Sequence, residues 1–390
     1  MLDVVTAGPE PITDQDVTEA LDVAVAQVRR NLLTFTYRAQ NHSSVDNVYP
    51  AVENDQWTAG FWPGQIWLAY EHSGDKTFRY AAQIQVQSFL HRIENRIETD
   101  HHDMGFLYSP SCIAAWKLVG DEDGRQAALL AADQLMERYQ PVGQFIQAWG
   151  RKGNANEYRY IIDCLLNLPL LYWASEQTGR EDYREVALAH ARTTLAHSVR
   201  PDDSTYHTFY MDPESGAPVR GVTKQGYSDE SFWARGQAWG IAGMAFSYRY
   251  ERLPAYRDTF ERLLKFYLDR LPTDLVPYWD LVFSDKDGEP RDSSAAAVVA
   301  CGLLEMADLE TPEKAEEYRQ VARRMMKSLV DIYSVKDPAI SNGQLLHGTY
   351  SKKTPHNTCR GEGVDECVSW GDYYYMEALI RLSRRWSSYW

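Results

Sequence analysis

A turn signature followed by an amphipathic helix recurs five times along the chain, at 73–83 (SGDKTFRYAAQ), 119–129 (VGDEDGRQAAL), 178–188 (TGREDYREVAL), 251–261 (ERLPAYRDTFE) and 311–322 (TPEKAEEYRQVA). Before each copy lies a segment of another kind, rich in apolar, small and aromatic residues: GFWPGQIWLAYEH, SPSCIAAWKLV, YIIDCLLNLPLLYWASEQ, SFWARGQAWGIAGMAFSYRY and SSAAAVVACGLLEMA. A helix apolar nearly all round has to be buried, whereas one with a charged face lies outside. With an opening helix from about Thr13 to Leu33 and a closing one at SWGDYYYMEALIRLSRRW, the pattern predicts twelve helices in six hairpins. An inner ring of six wrapped by an outer ring of six satisfies every pair. The expectation is an all-α (α/α)6 barrel, a six-hairpin toroid forming one domain over 1–390, with residues 1–12 a flexible N-terminal extension. An open α-solenoid would stack the same hairpins without closing; the small number of repeats and their unequal linkers argue against it.

The 390 residues include 55 Asp and Glu against 40 Lys and Arg, a formal charge of −15, which disfavours broad contact with nucleic acid or an anionic membrane. No apolar run of about 18 or more residues appears, and MLDVVTAGPEPITDQDV lacks the basic and apolar regions of an export signal. The five cysteines, Cys112, Cys164, Cys301, Cys359 and Cys367, are odd in number, and three sit in apolar helical stretches. A cytoplasmic protein with free thiols is the simplest reading. Cys359 and Cys367 match no zinc spacing, so no metal is expected.

Short turns follow the inner helices and long loops lead into them, so the long loops gather at one mouth of the barrel, around helix N-termini that favour anions. Asp163 interrupts the apolar run YIIDCLLNLPLLYW. A carboxyl there is costly unless partnered or protonated, and burial would raise its pKa toward that of a general acid. With Asn167 four residues on, both are expected to face the lumen; the alternative is an aspartate that only caps or hydrogen-bonds within the bundle. Asp103, in HHDMGF, occupies the equivalent position one hairpin earlier and is the natural second carboxylate, or else a helix-start aspartate. His101 and His102 beside it hint only weakly at a metal.

SFWARGQAWG places Ser231, Arg235 and Trp239 on one helix face, a cation and an indole suited to an acidic sugar, with an ion pair in the lumen as the alternative for Arg235. Trp57, Trp62 and Trp149 lie in mouth loops and together resemble a carbohydrate platform. The segment from Gly348 to Lys353 offers hydroxyls and lysines to an anion such as sulfate, or is an ordinary basic turn. No P-loop, GxGxxG, GxSxG or HExxH is present, and DKDG and DEDG are turns.

DQWTAGFWPG, HHDMGFLYSPS, QAWG, YIIDCLLNLPLLYWA, YHTFYMDPESG, TKQGYSDESFWARGQAWG and VSWGDYYYMEAL, in order from about residue 30 to 385, resemble glycoside hydrolase family 88, the unsaturated glucuronyl hydrolases. The resemblance implies an (α/α)6 barrel and a glycosidase that needs no cofactor. Such an enzyme removes Δ4,5-unsaturated glucuronic acid from lyase-generated glycosaminoglycan oligosaccharides by hydrating the C4=C5 vinyl ether. It makes Asp163 the general acid and base and Asp103 the second essential carboxylate. Trp57, Trp149, His207, Gln225, Arg235, Trp239 and Tyr350 fall at positions resembling substrate contacts. Members acting on sulfated disaccharides carry Ser-x-x-Ser-x-Lys; here Ser351 and Lys353 match and Gly348 replaces the first serine. The expected partner is therefore an unsaturated uronyl oligosaccharide such as a chondroitin or hyaluronan disaccharide, met by a monomer or weak homo-oligomer. A rhamnogalacturonyl hydrolase acting on pectin fragments, a sugar 2-epimerase and a non-catalytic sugar-binding protein are the alternatives.

Overall fold

The computed structural model describes residue 5 and residues 7–390. Its helices run in order α1 (Asp14–Phe35), α2 (Phe61–Ser73), α3 (Lys76–Glu94), α4 (104–119), α5 (Glu122–Met136), α6 (Leu168–Thr178), α7 (Glu181–His197), α8 (Ala234–Glu251), α9 (Pro254–Leu268), α10 (Ser293–Ala307), α11 (Pro312–Ser328) and α12 (Ser369–Ser383). Within α4 a π-helical turn, Ser109–Ile113, accommodates Pro110, whose ring has no N–H to give to a regular helix.

The recurring signature is a helix stop joined to a helix start. After α2 the chain turns at Gly74 (φ 69°), and Asp75 then accepts the Thr77 N–H at 2.8 Å to cap α3. Gly120 (φ 65°) and Asp121 repeat the step between α4 and α5, and Gly179 (φ 74°) makes the turn from α6 to α7. A residue with a Cβ pays about 1 kcal/mol or more in that left-handed conformation. Nothing lies within 4 Å of a Cβ built on Gly120, so the penalty of Gly120→Ala is conformational. We expect about 1 kcal/mol of lost stability, read as a lower urea midpoint at unchanged m-value.

Burial sorts the helices as the apolar pattern predicts. Every residue of α10 is buried, as are the first twelve of α12, whereas α11 buries one stripe led by Ala315, Tyr318, Val321, Ala322 and Met325. The even-numbered helices form the inner ring. α2 packs on α4, α4 on α6, α8 on α10 and on the 3-10 turn Ile162–Leu166 before α6, and α10 on α12; α12 returns to α2, closing the toroid that an open solenoid would leave open. α1, the first outer helix, packs against both α12 and α2. Trp390 fills the lumen from the far end, stacked on Tyr374 at 5.8 Å and donating its indole N–H to Glu377 at 2.8 Å.

Of the expected extension over 1–12, residues 1–4 and 6 lie outside the described residues. The part from 7 to 12 lies on α11: Ile12 is buried, and Arg323 and Arg324 donate to the Ile12 and Pro9 carbonyls at 2.7 Å. Among the described residues no helix is long and apolar enough to cross a membrane.

The long connections, at 36–60, 95–103, 137–161, 198–233, 269–292 and 329–368, all precede inner helices and crowd one mouth. They hold short ribbons, β1 (Ala39–Gln40) with β2 (Ala51–Val52) and β3 (Tyr139–Gln140) with β4 (Phe145–Ile146), and an antiparallel sheet of β5 (Arg159–Ile161), β6 (Thr208–Met211) and β7 (Pro218–Val222) in the order β5-β6-β7.

Candidate active site

The mouth opens into a cleft of about 350 Å³ whose walls come from five of these connections and from the 3-10 turn that precedes α6. Trp57 and Trp149 form aromatic walls, and Asp103, Asp163, His207, Gln225 and Tyr350 line it with them. Seven residues singled out from the sequence therefore meet in one cleft. They come together because each lies in a stretch of chain that leads into an inner helix, and the barrel gathers those stretches at one mouth.

Asp163 sits in the 3-10 turn Ile162–Leu166 rather than inside α6, because β5 delivers the chain extended to Ile161 and the helix proper starts at Leu168. It is 8% exposed, and its Oδ1 has no protein partner. Asn167 does not share its outlook. The Asn167 Oδ1 accepts the Phe106 N–H at 2.8 Å, tying α6 to α4, so it serves the packing of the ring.

Asp103 stands at the start of α4 between two imidazoles, His101 Nδ1 and His102 Nε2 each 3.2 Å from one of its oxygens. The two carboxyls are thereby driven apart in acidity. Burial pushes Asp163 up to about 6, against the pull of the nearby His102 charge and with the push of Asp103. Burial acts on Asp103 in the same sense, but the His102 charge and the hydrogen bonds from both histidines outweigh it and hold the carboxyl well below the usual range. Burial depresses His102, yet the Asp103 carboxylate more than compensates and its pKa is pushed up to about 10. The site thus holds one carboxyl that is protonated in mild acid and one that stays ionised, the division of labour of an acid and its electrostatic support.

His207 is buried, and its Nδ1 accepts the Lys224 N–H at 3.0 Å, which leaves the proton on Nε2. Desolvation, with Lys224 and Arg235 adding repulsion, holds its pKa well below the usual imidazole range, so it acts as a neutral donor. The Trp57 indole N–H donates to the Tyr350 hydroxyl at 3.2 Å and its ring stacks on Trp370 at 5.3 Å, which fixes the wall on that side.

Four expected contacts do not line the cleft. Arg235, 1% exposed, spends its guanidinium on Asp292 (2.7 Å) and on the carbonyls of Thr349 (2.6 Å) and Tyr350 (2.5 Å), between the rings of Trp233 and Trp370. The ion pair weighed as its alternative is what forms, and it positions the strand of loop that carries Tyr350. Trp239 is wholly buried against Phe106 and Tyr374, since the inward face of α8 at its level is filled by aromatic packing. Ser351 is held in backbone pairing with Glu362, and Lys353 donates to the Asn357 carbonyl at 2.7 Å, so local loop structure consumes both. Trp62 is likewise core, its indole N–H on the Phe35 carbonyl at 2.9 Å.

The sequence reading missed Lys224, which lines the cleft and stands 4.2 Å over the Trp149 ring, and it assigned His101 and His102 only a weak metal signal. The visible signals were a lysine beside Gln225 and the run HHD at an inner-helix start; what they lacked was any sign of which loops face each other. Among the described residues no group of three His, Cys, Asp or Glu is arranged to hold a metal ion.

Known proteins resemble this chain in sequence and share its fold. The unsaturated chondroitin disaccharide hydrolase of Streptococcus pyogenes serotype M1 is 47% identical over 382 residues, covering 97% of this chain and 94% of that protein. The crystal structure of unsaturated glucuronyl hydrolase from Streptococcus agalactiae superposes with a TM-score of 0.93 at 47% identity, covering 97% of this chain and 95% of that one. A variant of the same enzyme complexed with dGlcA-GalNAc6S superposes at 0.86 with 44% identity, covering 97% and 94%. The family model for Glycosyl Hydrolase Family 88 matches residues 33–384, and with these likenesses the chain belongs to that family.

Proposed function

We propose that this glycoside hydrolase releases Δ4,5-unsaturated glucuronic acid from lyase-generated glycosaminoglycan oligosaccharides, with chondroitin and hyaluronan disaccharides as substrates. The observation that carries the reading is Asp163: a buried carboxyl in the cleft, with an oxygen left without a protein partner, raised to about 6 beside a second carboxyl kept ionised. The Streptococcus agalactiae complex with dGlcA-GalNAc6S supports the choice of sugar.

In this mechanism Asp163 gives its proton to C4 of the vinyl ether. Positive charge develops at C5 and the ring oxygen, where the carboxylates of Asp163 and Asp103 stabilise it in a site poor in water. Water then adds at C5 and returns a proton to Asp163. The resulting hemiketal opens and expels the remaining sugar. His207 and Gln225 orient the uronate, Trp57 and Trp149 flank the sugar faces, and Tyr350 closes the wall opposite. Lys224, which lines the cleft, offers a cation to the uronate carboxylate. The reaction draws on protein side chains alone. We further propose that the enzyme acts in the cytoplasm, as one barrel domain and as a monomer or weak homo-oligomer; its five free, buried cysteines support a reducing compartment.

The test is the absorbance of the vinyl carboxylate while purified protein acts on unsaturated chondroitin and hyaluronan disaccharides. Loss of the band is expected; a band that persists on every uronyl disaccharide overturns the assignment. The pH profile follows from the acid. Since Asp163 must be protonated to start the reaction, kcat/KM is expected to be level below about 6 and to fall toward tenfold per pH unit above it, until Asp103 protonates at much lower pH.

A further inference from the structure

A second cavity, of about 440 Å³, adjoins the cleft and shares Trp149 and Lys224 with it. Its floor is the sheet. Arg159 on β5 pairs with Tyr210 on β6, which pairs with Arg220 on β7, so one cross-strand row reads Arg-Tyr-Arg. The Arg159 guanidinium lies 4.7 Å from the Trp149 ring and 5.7 Å from Tyr210, and Arg220 lies 5.3 Å from the other side of that tyrosine.

The charges of this row are unanswered. Among the described residues neither Arg159 nor Arg220 has a carboxylate in salt-bridge range, in a chain carrying a net −15. Arg159 is 7% exposed and its Nε has no hydrogen-bond partner. The acid on the wall, Asp229, accepts the Thr223 N–H at 2.8 Å on one oxygen and lies outside salt-bridge range of both arginines. The buried Arg159 guanidinium is costly without a partner, and an oxyanion held between it and the exposed Arg220 removes the cost.

We propose that this cavity is a further subsite that binds the carboxylate of the third sugar of a longer unsaturated oligosaccharide, through Arg159 and Arg220. The inference rests on the hydrolase reading above. In alternating uronate–hexosamine chains the unsaturated uronate occupies the cleft, the hexosamine follows against Trp149, and the third residue is again a uronate. The anion therefore recurs at the distance of one disaccharide whether or not the chain is sulfated.

Unsaturated hyaluronan di- and tetrasaccharides, which carry no sulfate, provide the decisive comparison. Wild type is expected to favour the tetrasaccharide by about tenfold in kcat/KM, mostly through KM, and Arg220→Gln to erase that ratio. Arg220 is exposed at the sheet edge, so this variant is expected to fold; Arg220→Lys should restore part of the preference. A wild-type ratio of one or below, or a ratio unmoved by Arg220→Gln, overturns the proposal. So does a variant that loses only discrimination between 6-sulfated and unsulfated chondroitin disaccharides, because the anion would then be a sulfate on the second sugar. Calorimetric binding of the same two hyaluronan oligosaccharides separates this inference from the hydrolase reading: if nothing is turned over but the tetrasaccharide preference exists and depends on Arg220, only the catalytic reading fails.

Discussion

Asp163→Asn is expected to lower kcat by about 10³- to 10⁴-fold and at the same time to make the protein more stable. The two effects have one origin. A carboxyl raised from 3.8 to about 6 binds its proton more tightly in the folded state than in the unfolded chain. Its ionisation therefore works against folding: the penalty is absent below the unfolded pKa, grows as pH rises between the two values, and is complete above about 6, where it reaches roughly 3 kcal/mol. Asparagine has nearly the same shape and never ionises, so it removes the penalty along with the proton. Thermal or urea unfolding at pH 7.5 should show the variant up to about 3 kcal/mol more stable, with the difference vanishing near pH 4. A variant that is inactive and destabilised at pH 7.5 would mean that Asp163 is a structural hydrogen-bonding residue, the alternative first weighed for it.

Asp292→Asn is expected to produce the largest loss of stability of any single change near the mouth, about 3–5 kcal/mol, because it leaves the Arg235 guanidinium buried without its counter-charge. Asp292 is wholly buried and also accepts the Ser294 hydroxyl at 2.5 Å. Arg235 in turn holds the Thr349 and Tyr350 carbonyls, so the damage reaches the cleft wall. In protein that remains folded at low temperature, KM is expected to rise several-fold while the alkaline fall in rate still begins near pH 6. Arg235→Lys should not substitute, since one ammonium cannot reach three acceptors arranged for a planar fork. A direct substrate contact at Arg235 would give a different result: Asp292→Asn would leave KM nearly unchanged.

The fold was readable because its repeat is local. Gly74–Asp75 and Gly120–Asp121 are adjacent in sequence, and each pair ends one helix and begins the next without help from elsewhere. Asp163 was readable for a related reason, a single charge in an apolar run. Arg235 and Trp239 were misplaced because helical spacing reveals which residues share a face but not what fills the space in front of it; there it is Asp292 and the 349–350 carbonyls, and Phe106 and Tyr374. Ser351 and Lys353 were lost to partners in their own loop. The row of Arg159, Tyr210 and Arg220 was invisible for the opposite reason, since three short strands far apart in sequence carry no period that would announce their pairing.

The return of α12 onto α2 has a consequence for how the molecule is made. The inner helices lean on neighbours in a ring, and the seam joins the first inner helix to the last, across some three hundred residues. During synthesis the apolar flanks of α2 and α1 must wait until α12 has emerged. Such long-range closure is slow, and the unfinished ring exposes a greasy edge to any other copy in the same state. Yield in a cell should therefore depend on chaperone supply and on low growth temperature more than on the stability of the finished barrel.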